Sequence, residues 1–365
     1  MNRFLKTILT ICSIYLASVM IITPHACIDA AKTSIELCLD VVIPSLFPFM
    51  VLSNLFIYLG LAHILSRKLS PVMKPLFGVS GGGALAAILG IVSGYPIGAS
   101  TVTNLYESGS ISKSDALRLL TFCNNSGPLF ILGAVGIGML HSRDAGIFLY
   151  IIHLVSALLT GILFRGYNSN DNHERFLPPA DIQTGKNIAS AVGISITNSI
   201  ETILKVCGFV IFFSVFCTSL PSSNFTPFIY SFLEITGGVK ALLCSTHISS
   251  SLFLPVTSFF IALSGLSVLL QTTALTSPAN LSVKPYIYGK IVQALIAFFI
   301  TFIVQSFFPV TYTVSLDFTY PISPSVFLSP RAQFIAFFFS FIVSTLVIAI
   351  LYFIVWLLKY FEDRK

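Results

Sequence analysis

The stretch LFGVSGGGALAAILGIVSGYPIG, from Leu76 to Gly98, decides how this chain folds. It is apolar and long enough to cross a bilayer, which takes about 20 residues of helix. It is nevertheless interrupted twice, by the triple glycine at residues 81–83 and by Ser93-Gly94-Tyr95-Pro96. Proline lacks a backbone donor and pushes the preceding residue out of the helical region. Because broken backbone survives in hydrocarbon only when it is buried in protein or lines a cavity, the stretch predicts a re-entrant hairpin.

The composition of the whole chain places it in a membrane. Its 365 residues are 55% hydrophobic and only 9% charged, and the mean hydropathy is +0.91. A soluble domain carries roughly 25% charged residues, so this chain has too few polar side chains to cover a water-facing surface. A soluble enzyme, a disordered chain and a nucleic-acid binder are therefore excluded, despite the net charge of +6. We predict an all-α polytopic membrane protein with about seven to ten membrane segments.

A second broken apolar stretch, at residues 228–270, resembles the first. Thr236-Gly237-Gly238 and Ser264-Gly265 stand there in the order of the first pair of breaks. This order predicts an inverted repeat of two re-entrant broken-helix hairpins, with tips near residues 81–83 and 237–238. Chance recurrence of Ser-Gly pairs in glycine-rich membrane helices is the alternative. The predicted units are an N-terminal span and loop (1–35), a first repeat (36–165), a polar linker (166–186), a second repeat (187–331) and a C-terminal span with a basic tail (332–365).

The break at Tyr95-Pro96 supplies the first candidates for a binding site. A half-helix beginning near Pro96 would offer free N–H groups and the positive end of its dipole. Such helix ends bind anionic groups in transporters with broken helices. Ser93 and Tyr95 add hydroxyl groups, and Gly94 and Gly98 flank the break. Close packing of small residues is the alternative explanation for the glycine spacing.

The second break of the first half is the run Cys123-Asn124-Asn125-Ser126-Gly127-Pro128. Two adjacent amides, a hydroxyl and a Gly-Pro break inside an apolar run are costly unless they are satisfied internally. Amides suit a neutral polar substrate or a carbonyl-ligated cation. We expect Asn124, Asn125, Ser126 and Pro128 to line a buried site. A helix-capping turn at the membrane surface is the alternative.

The second half supplies its own candidates. Glu234 lies in an apolar stretch, and an intramembrane carboxylate is a functional candidate by default. Its alternatives are a pairing with Lys240 or a position at the aqueous end of the hairpin. Ser267 and Gln271 are four residues apart and share one helical face. The predicted second-half site comprises Glu234, Thr236, Gly237, Gly238, Ser264, Gly265, Ser267 and Gln271.

Several kinds of chemistry find no support in the sequence. The seven cysteines and six histidines show no metal-ligand spacing, so we predict no metal and no cofactor. The triple glycine is followed by Ala84 and Leu85, without the lysine of a phosphate-binding loop, which excludes direct ATP-driven transport. Paired carboxylates are also lacking. We therefore expect the chain not to be an enzyme.

The motifs resemble those of one known family. Ser93-Gly94-Tyr95-Pro96-x-Gly98-Ala99 and the segment from Leu117 to Phe130 resemble the YlbJ (also called SpoVV) sporulation integral membrane proteins of endospore-forming bacteria. The likeness extends to Ile43–Phe49 and Leu263–Gln271 and runs in order over about residues 36–300. It implies a nucleoside-recognition or gate domain similar to concentrative nucleoside transporters. It also implies a role in spore formation, with dipicolinate crossing a forespore membrane.

One departure from that family bears on the substrate. Its members often carry a lysine after the Gly-Ala that follows Tyr-Pro, whereas this chain has Ser100. Lys113, Arg118 or the half-helix dipole would then have to neutralise an anionic substrate.

Together these observations favour a secondary-transporter-like permease for a small anionic or polar metabolite, dipicolinate by resemblance. We expect a multi-pass protein of the cell membrane that contacts the lipid bilayer and a small-molecule substrate, with no nucleic-acid partner and with a homo-oligomer allowed. The rival interpretation is a non-transporting scaffold of a sporulation complex. An ion-channel subunit is disfavoured, because the broken segments hold too few carboxylate, Cys or Met ligands.

Overall fold

The computed structural model describes residues 3–59, 61–168, 188–218, 220, 223–243, 245 and 248–307. No strand occurs within these ranges. Most of the predicted linker 166–186 and the whole C-terminal unit 332–365 lie outside the described residues.

Fourteen α-helices run through the described ranges, with short segments of other helical types between some of them. The helices are α1 (Arg3–Ile22), α2 (Pro24–Leu37), α3 (Ile43–Tyr58), α4 (Leu61–Phe77), α5 (Ala84–Val92), α6 (Ile97–Glu107), α7 (Lys113–Leu120), α8 (Arg143–Leu163), α9 (Ile188–Thr218), α10 (Thr226–Leu233), α11 (Ile235–Leu243), α12 (Ser250–Leu263), α13 (Gly265–Thr276) and α14 (Lys284–Phe307). Cys38–Val42 and Leu129–Met139 are π-helical, and Gly81–Gly83 is a 3-10 turn.

The fold is that of a polytopic membrane protein, as predicted. In the described ranges, four helical segments are long and apolar enough to cross a membrane: Arg143–Leu163, Ala189–Thr218, Ser251–Thr276 and Lys284–Phe307. Two further apolar helix pairs are bent sharply. Ser13–Ile22 and Pro24–Asp40 meet at 104°, and Ile64–Phe77 and Gly81–Val92 meet at 95°.

The bend between α4 and α5 is the first break predicted from the sequence. Gly78, with φ of +65°, turns the chain after α4 into the 3-10 turn Gly81–Gly83. Helix α7 satisfies the backbone groups of this bend. Arg118 donates to the carbonyl of Gly78, and the Asp115 carboxylate accepts the N–H of Ser80 at 3.0 Å.

The glycines of the two Ser-Gly breaks both have a positive φ, although the serines before them differ, with φ of −100° at Ser93 and +69° at Ser264. Gly94 has φ of +84° and Gly265 has φ of +77°, and each lies two residues after the last residue of the preceding helix. One helix, α5, separates the two breaks of the first half, whereas α11 and α12 separate Glu234 from Ser264-Gly265, so the order of elements is similar but not identical in the two halves.

The predicted tip of the second hairpin is wrong in its position. The chain breaks at Glu234, which is extended between α10 and α11, and Gly237-Gly238 lies inside α11. The physical reason is a local cap. The Glu234 carboxylate accepts the N–H groups of Thr236 and Gly237 and so starts the helix before the glycines are reached.

Three apolar clusters of buried residues lie in the described interior, and one short polar loop runs between the two larger ones. Phe122 and Cys123, just before this loop, belong to the first cluster, which also takes in Ile203 and Tyr286, and Ile131, just after the loop, belongs to the second. The polar run between them is therefore enclosed on both sides. Helix α14 approaches this loop to backbone contact, because a Cβ on Gly289 would lie 2.1 Å from the carbonyl oxygen of Thr121.

Candidate binding site

The two broken segments of the first half cross in the interior of the protein. The N–H of Tyr95 donates to the carbonyl of Asn125. Gly94 lies directly on Gly127, since a Cβ on Gly94 would be 2.5 Å from the Gly127 nitrogen. The side chains of Asn124, Asn125 and Ser126 are fully buried, and Ser93 is buried beside them. The polar motif thus lies inside the protein and not in a turn at its surface.

The start of α6 is occupied by the crossing loop. Asn124 Oδ1 accepts the N–H of Ala99 at 3.3 Å, in the first turn of the helix that follows Pro96. Gly98 lies against Cys123, since a Cβ there would be 2.1 Å from the Cys123 carbonyl oxygen. The expectation that this helix end is free for an anionic substrate is therefore wrong for the N–H of Ala99. Asn124 caps it from a distant segment.

The segment Asn124–Ser126 also bonds to helices of the second half. Asn124 Nδ2 donates to Thr272 Oγ1 on α13 at 2.9 Å. Ser126 Oγ donates to the carbonyl of Ile261 on α12 at 3.2 Å, and Ser126 N donates to His153 Nε2 on α8 at 3.1 Å. Asn124 and Ser126 thus hold elements from both halves together.

A buried lysine of α14 completes this centre. Lys290 is 2% exposed, and its Nζ donates to Gln293 Oε1 at 2.9 Å and to Asn125 Oδ1 at 3.4 Å. Gln293 Nε2 donates to the same Asn125 oxygen at 3.2 Å. The Tyr286 ring centroid lies 5.8 Å from the ammonium group. In the described part of the chain, the partners of Lys290 include no carboxylate.

Several polar atoms in and beside this centre are buried without a hydrogen-bond partner among the described residues. They are Ser93 Oγ, His153 Nδ1 and Tyr286 Oη. The Tyr286 hydroxyl faces the side chains of Ser264, Thr272 and Asn124, although none bonds to it with good geometry. Ser264 is thereby the second-half candidate that the structure brings to the centre.

The candidates around the second hairpin lie apart from it. The Glu234 carboxylate accepts the backbone N–H groups of Thr236 at 2.9 Å and Gly237 at 2.7 Å, so it caps the N-terminus of α11. Gly238 packs against α10, where a Cβ would lie 2.2 Å from Ser231 Cα. No hydrogen bond joins these residues to Asn124–Ser126 in the part of the chain that the structure describes, although Glu234 lies within electrostatic range of Tyr95.

The remaining candidates lie next to the centre without bonding to it. Gln271 Nε2 donates to Ser267 Oγ at 3.3 Å, which confirms that the two residues share one face of α13. Gly265 packs against the end of α10, with a Cβ position 3.2 Å from the Phe232 carbonyl oxygen. Pro128 directly precedes the π-helical segment Leu129–Met139.

Of the two cations expected to neutralise an anion, one is exposed and the other is engaged elsewhere. Lys113 is exposed at the start of α7. Arg118 donates to the carbonyls of Gly78 and Tyr167 and pairs with Asp115 at 3.8 Å. Sequence reasoning missed Lys290. The available signal was a lone charge inside the apolar run 286–308, which is a functional candidate by default.

The first bend also contains a spacing that is known from hydrolases. Gly78-Val79-Ser80-Gly81-Gly82 matches Gly-x-Ser-x-Gly, a motif that places a nucleophile on a strand-to-helix turn. Here Ser80 follows a helix, and its Oγ has no hydrogen-bond partner among the described residues. The geometry therefore does not favour Ser80 as a nucleophile.

Comparison with known proteins assigns the family. Residues 39–163 match the family model described as Gate: nucleoside recognition. Over 322 residues the chain is 30% identical to the Sporulation integral membrane protein YlbJ of Bacillus subtilis (strain 168). This comparison covers 78% of this chain and 79% of that protein. The chain belongs to the YlbJ family of sporulation integral membrane proteins.

The gate match covers only part of the centre in this YlbJ-family protein. Asn124–Ser126 and His153 lie within the matched residues, whereas Thr272, Lys290 and Gln293 lie beyond them. No solved structure matches the chain.

Asn124→Ala is expected to destabilise this YlbJ-family protein by about 1–3 kcal/mol, because it leaves the Ala99 N–H and the Thr272 hydroxyl without their shared partner. Asn198→Ala, on the exposed side of α9, is the matched control and should stay within about 0.5 kcal/mol of the parent. Thermal unfolding in detergent measures both. Equal melting temperatures for the two variants would contradict the capping role of Asn124.

Proposed function

We propose that this protein is a secondary-transporter-like permease for a small anionic or polar metabolite. By its family it would act in the forespore membrane, with dipicolinate as the first candidate substrate and with spore maturation as the process served. One observation carries the proposal. Two broken segments of the gate region cross in the buried interior, where helices of the second half complete a polar centre.

The physical argument is the free-energy cost of burying polar groups and irregular backbone in apolar surroundings. Irregular backbone and buried amides within apolar surroundings are tolerated when they line a cavity or are satisfied by protein. Transporters with broken helices place their substrate sites at such interruptions, between two structural repeats. A scaffold needs neither the crossing nor a buried charge, so the arrangement favours transport.

Uptake into liposomes tests the proposal. The full chain would be reconstituted, and accumulation of labelled dipicolinate would be followed against protein-free liposomes, with imposed proton and sodium gradients in separate runs. We expect protein-dependent uptake that unlabelled dipicolinate suppresses. Uptake equal to that of protein-free liposomes under every gradient, with the protein folded, would overturn transport of dipicolinate and favour the scaffold.

Ser93→Ala is expected to lower uptake about 5–30-fold while stability changes by less than about 0.5 kcal/mol. The Ser93 hydroxyl is buried without a partner among the described residues, so its removal breaks no internal hydrogen bond. Thr257→Val removes a similarly unpartnered hydroxyl on α12, outside the polar centre, and is the matched control. Unchanged uptake in the Ser93 variant would remove this residue from the site.

A further inference from the structure

We propose that Lys290 binds a carboxylate group of the transported molecule and so restricts the substrates of this site to small carboxylates. The inference rests on the proposed function, because it assigns the chemistry of the same buried centre. It concerns a residue of α14 that lies beyond the region matched by the gate family.

The first argument is the charge balance around Lys290. Burying an ammonium group is costly unless it is paired and fully hydrogen-bonded. Two amide oxygens, of Gln293 and Asn125, accept from Nζ, whereas an ammonium has three donors. The partners of Lys290 in the described chain include no negative charge. An anion placed here would supply both the missing acceptor and the missing charge.

The second argument comes from His153, on the facing helix α8. Its Nε2 accepts the N–H of Ser126 at 3.1 Å, so its Nδ1 carries the ring hydrogen. That Nδ1 is buried and has no partner among the described residues, and His153 lies within electrostatic range of Lys290. The centre therefore holds an imidazole donor without a partner as well as an ammonium group whose charge is not balanced within the described chain.

The third argument is that the amide and carboxylate oxygens nearest these donors are already engaged, although Gln271 Oε1 on α13 is buried without a partner among the described residues. Asn125 Oδ1 already accepts from Lys290 and from Gln293, and Asn124 Oδ1 accepts from Ala99. Glu234, the carboxylate in electrostatic range of Tyr95, is held by two backbone N–H groups of α11. Excess donors with a positive charge suit a carboxylate and disfavour a cation.

A binding comparison tests the role of Lys290. The probes are dipicolinate and its neutral analogue pyridine-2,6-dicarboxamide, with affinities taken from thermal stabilisation of the purified full chain. The wild type is expected to prefer dipicolinate by about 10-fold or more, as a charged hydrogen bond would provide. Lys290→Met should lose that preference, and Lys290→Arg should retain part of it. Lys284→Met, on the exposed first turn of the same helix, should behave as the wild type.

The outcomes separate this inference from the proposed function. A Lys290→Met variant that keeps the wild-type preference overturns the inference, and so does a wild type that shows no preference. If Lys290→Met does not fold, Lys290→Gln gives the same comparison with a polar neutral side chain. Binding that depends on Lys290 without any liposome uptake would overturn transport alone. Uptake that is the same for the acid and the diamide would overturn the carboxylate site alone.

Discussion

Asn125→Asp is expected to raise the melting temperature of the empty protein and to reduce dipicolinate uptake to background. Asn125 Oδ1 accepts from Lys290 Nζ at 3.4 Å and from Gln293 Nε2 at 3.2 Å, so a carboxylate in its place would pair with the buried ammonium. The substitution loses the bond from Asn125 Nδ2 to the Phe122 carbonyl, which costs about 1–3 kcal/mol. Removing one partner of a buried ion pair costs about 3–5 kcal/mol, because it leaves the other charge buried and unpaired. Supplying the partner that Lys290 lacks should therefore outweigh the lost hydrogen bond and raise the free energy of unfolding.

The effect on uptake has a separate cause. The internal carboxylate would satisfy Lys290 permanently and exclude the carboxylate of the substrate. Asn125→Leu is the matched neutral control, which should also lose uptake but should melt at a lower temperature than the parent. Melting of the Asn125→Asp variant below the Asn125→Leu variant, or uptake above one tenth of the parent value, would show that Lys290 is not an available positive charge.

Gly94→Ala is expected to prevent accumulation of folded protein. Gly94 has φ of +84°, and a Cβ there would lie 2.5 Å from the nitrogen and 2.7 Å from the Cα of Gly127. Both contacts are to backbone, so no side chain can move to relieve them. Because the two broken segments meet at this point, the substitution would separate them. We expect a loss above about 4 kcal/mol, of the size that marks a named structural failure.

Gly109→Ala provides the matched control for this prediction. Gly109 has φ of +69°, but a Cβ there would meet nothing within 4 Å. That variant bears only the cost of a left-handed backbone, about 1–2 kcal/mol. Membrane accumulation and size-exclusion profiles in detergent compare the two variants. A Gly94→Ala protein that accumulates and melts like the Gly109→Ala protein would show that the backbone contact does not hold the crossing together.

The sequence predicted the breaks of the first half better than those of the second. Pro96 and the glycines around residues 78–83 interrupt helices by backbone chemistry alone, which needs no tertiary context. Gly237-Gly238 looked the same in sequence, yet the pair lies inside α11. The deciding contact is the Glu234 cap, a side-chain interaction that glycine patterning does not report.

The loop residues of the site could be predicted from the sequence, whereas the helix residues that bind to the loop were not. Asn124–Ser126 stood out because adjacent amides and a Gly-Pro break are costly in an apolar run. Lys290 and Gln293 lie 165 and 168 residues from Asn125 along the chain, and no motif links such distant positions. His153 and Thr272 are single polar side chains within apolar helices, and their role depends on which segment crosses them.

The contact at Gly289 bears on the motion that the proposed transport would require. Its missing side chain lets α14 touch the backbone of Thr121, immediately beside Lys290 and just before the amide loop. In the transport cycle proposed above, sliding of the helix past the loop would break that contact, so we expect the two to move together. Any relative movement of helices during transport would then take place at other helix contacts of the molecule. The ammonium group and the amides would be presented to each side of the membrane in an unchanged arrangement.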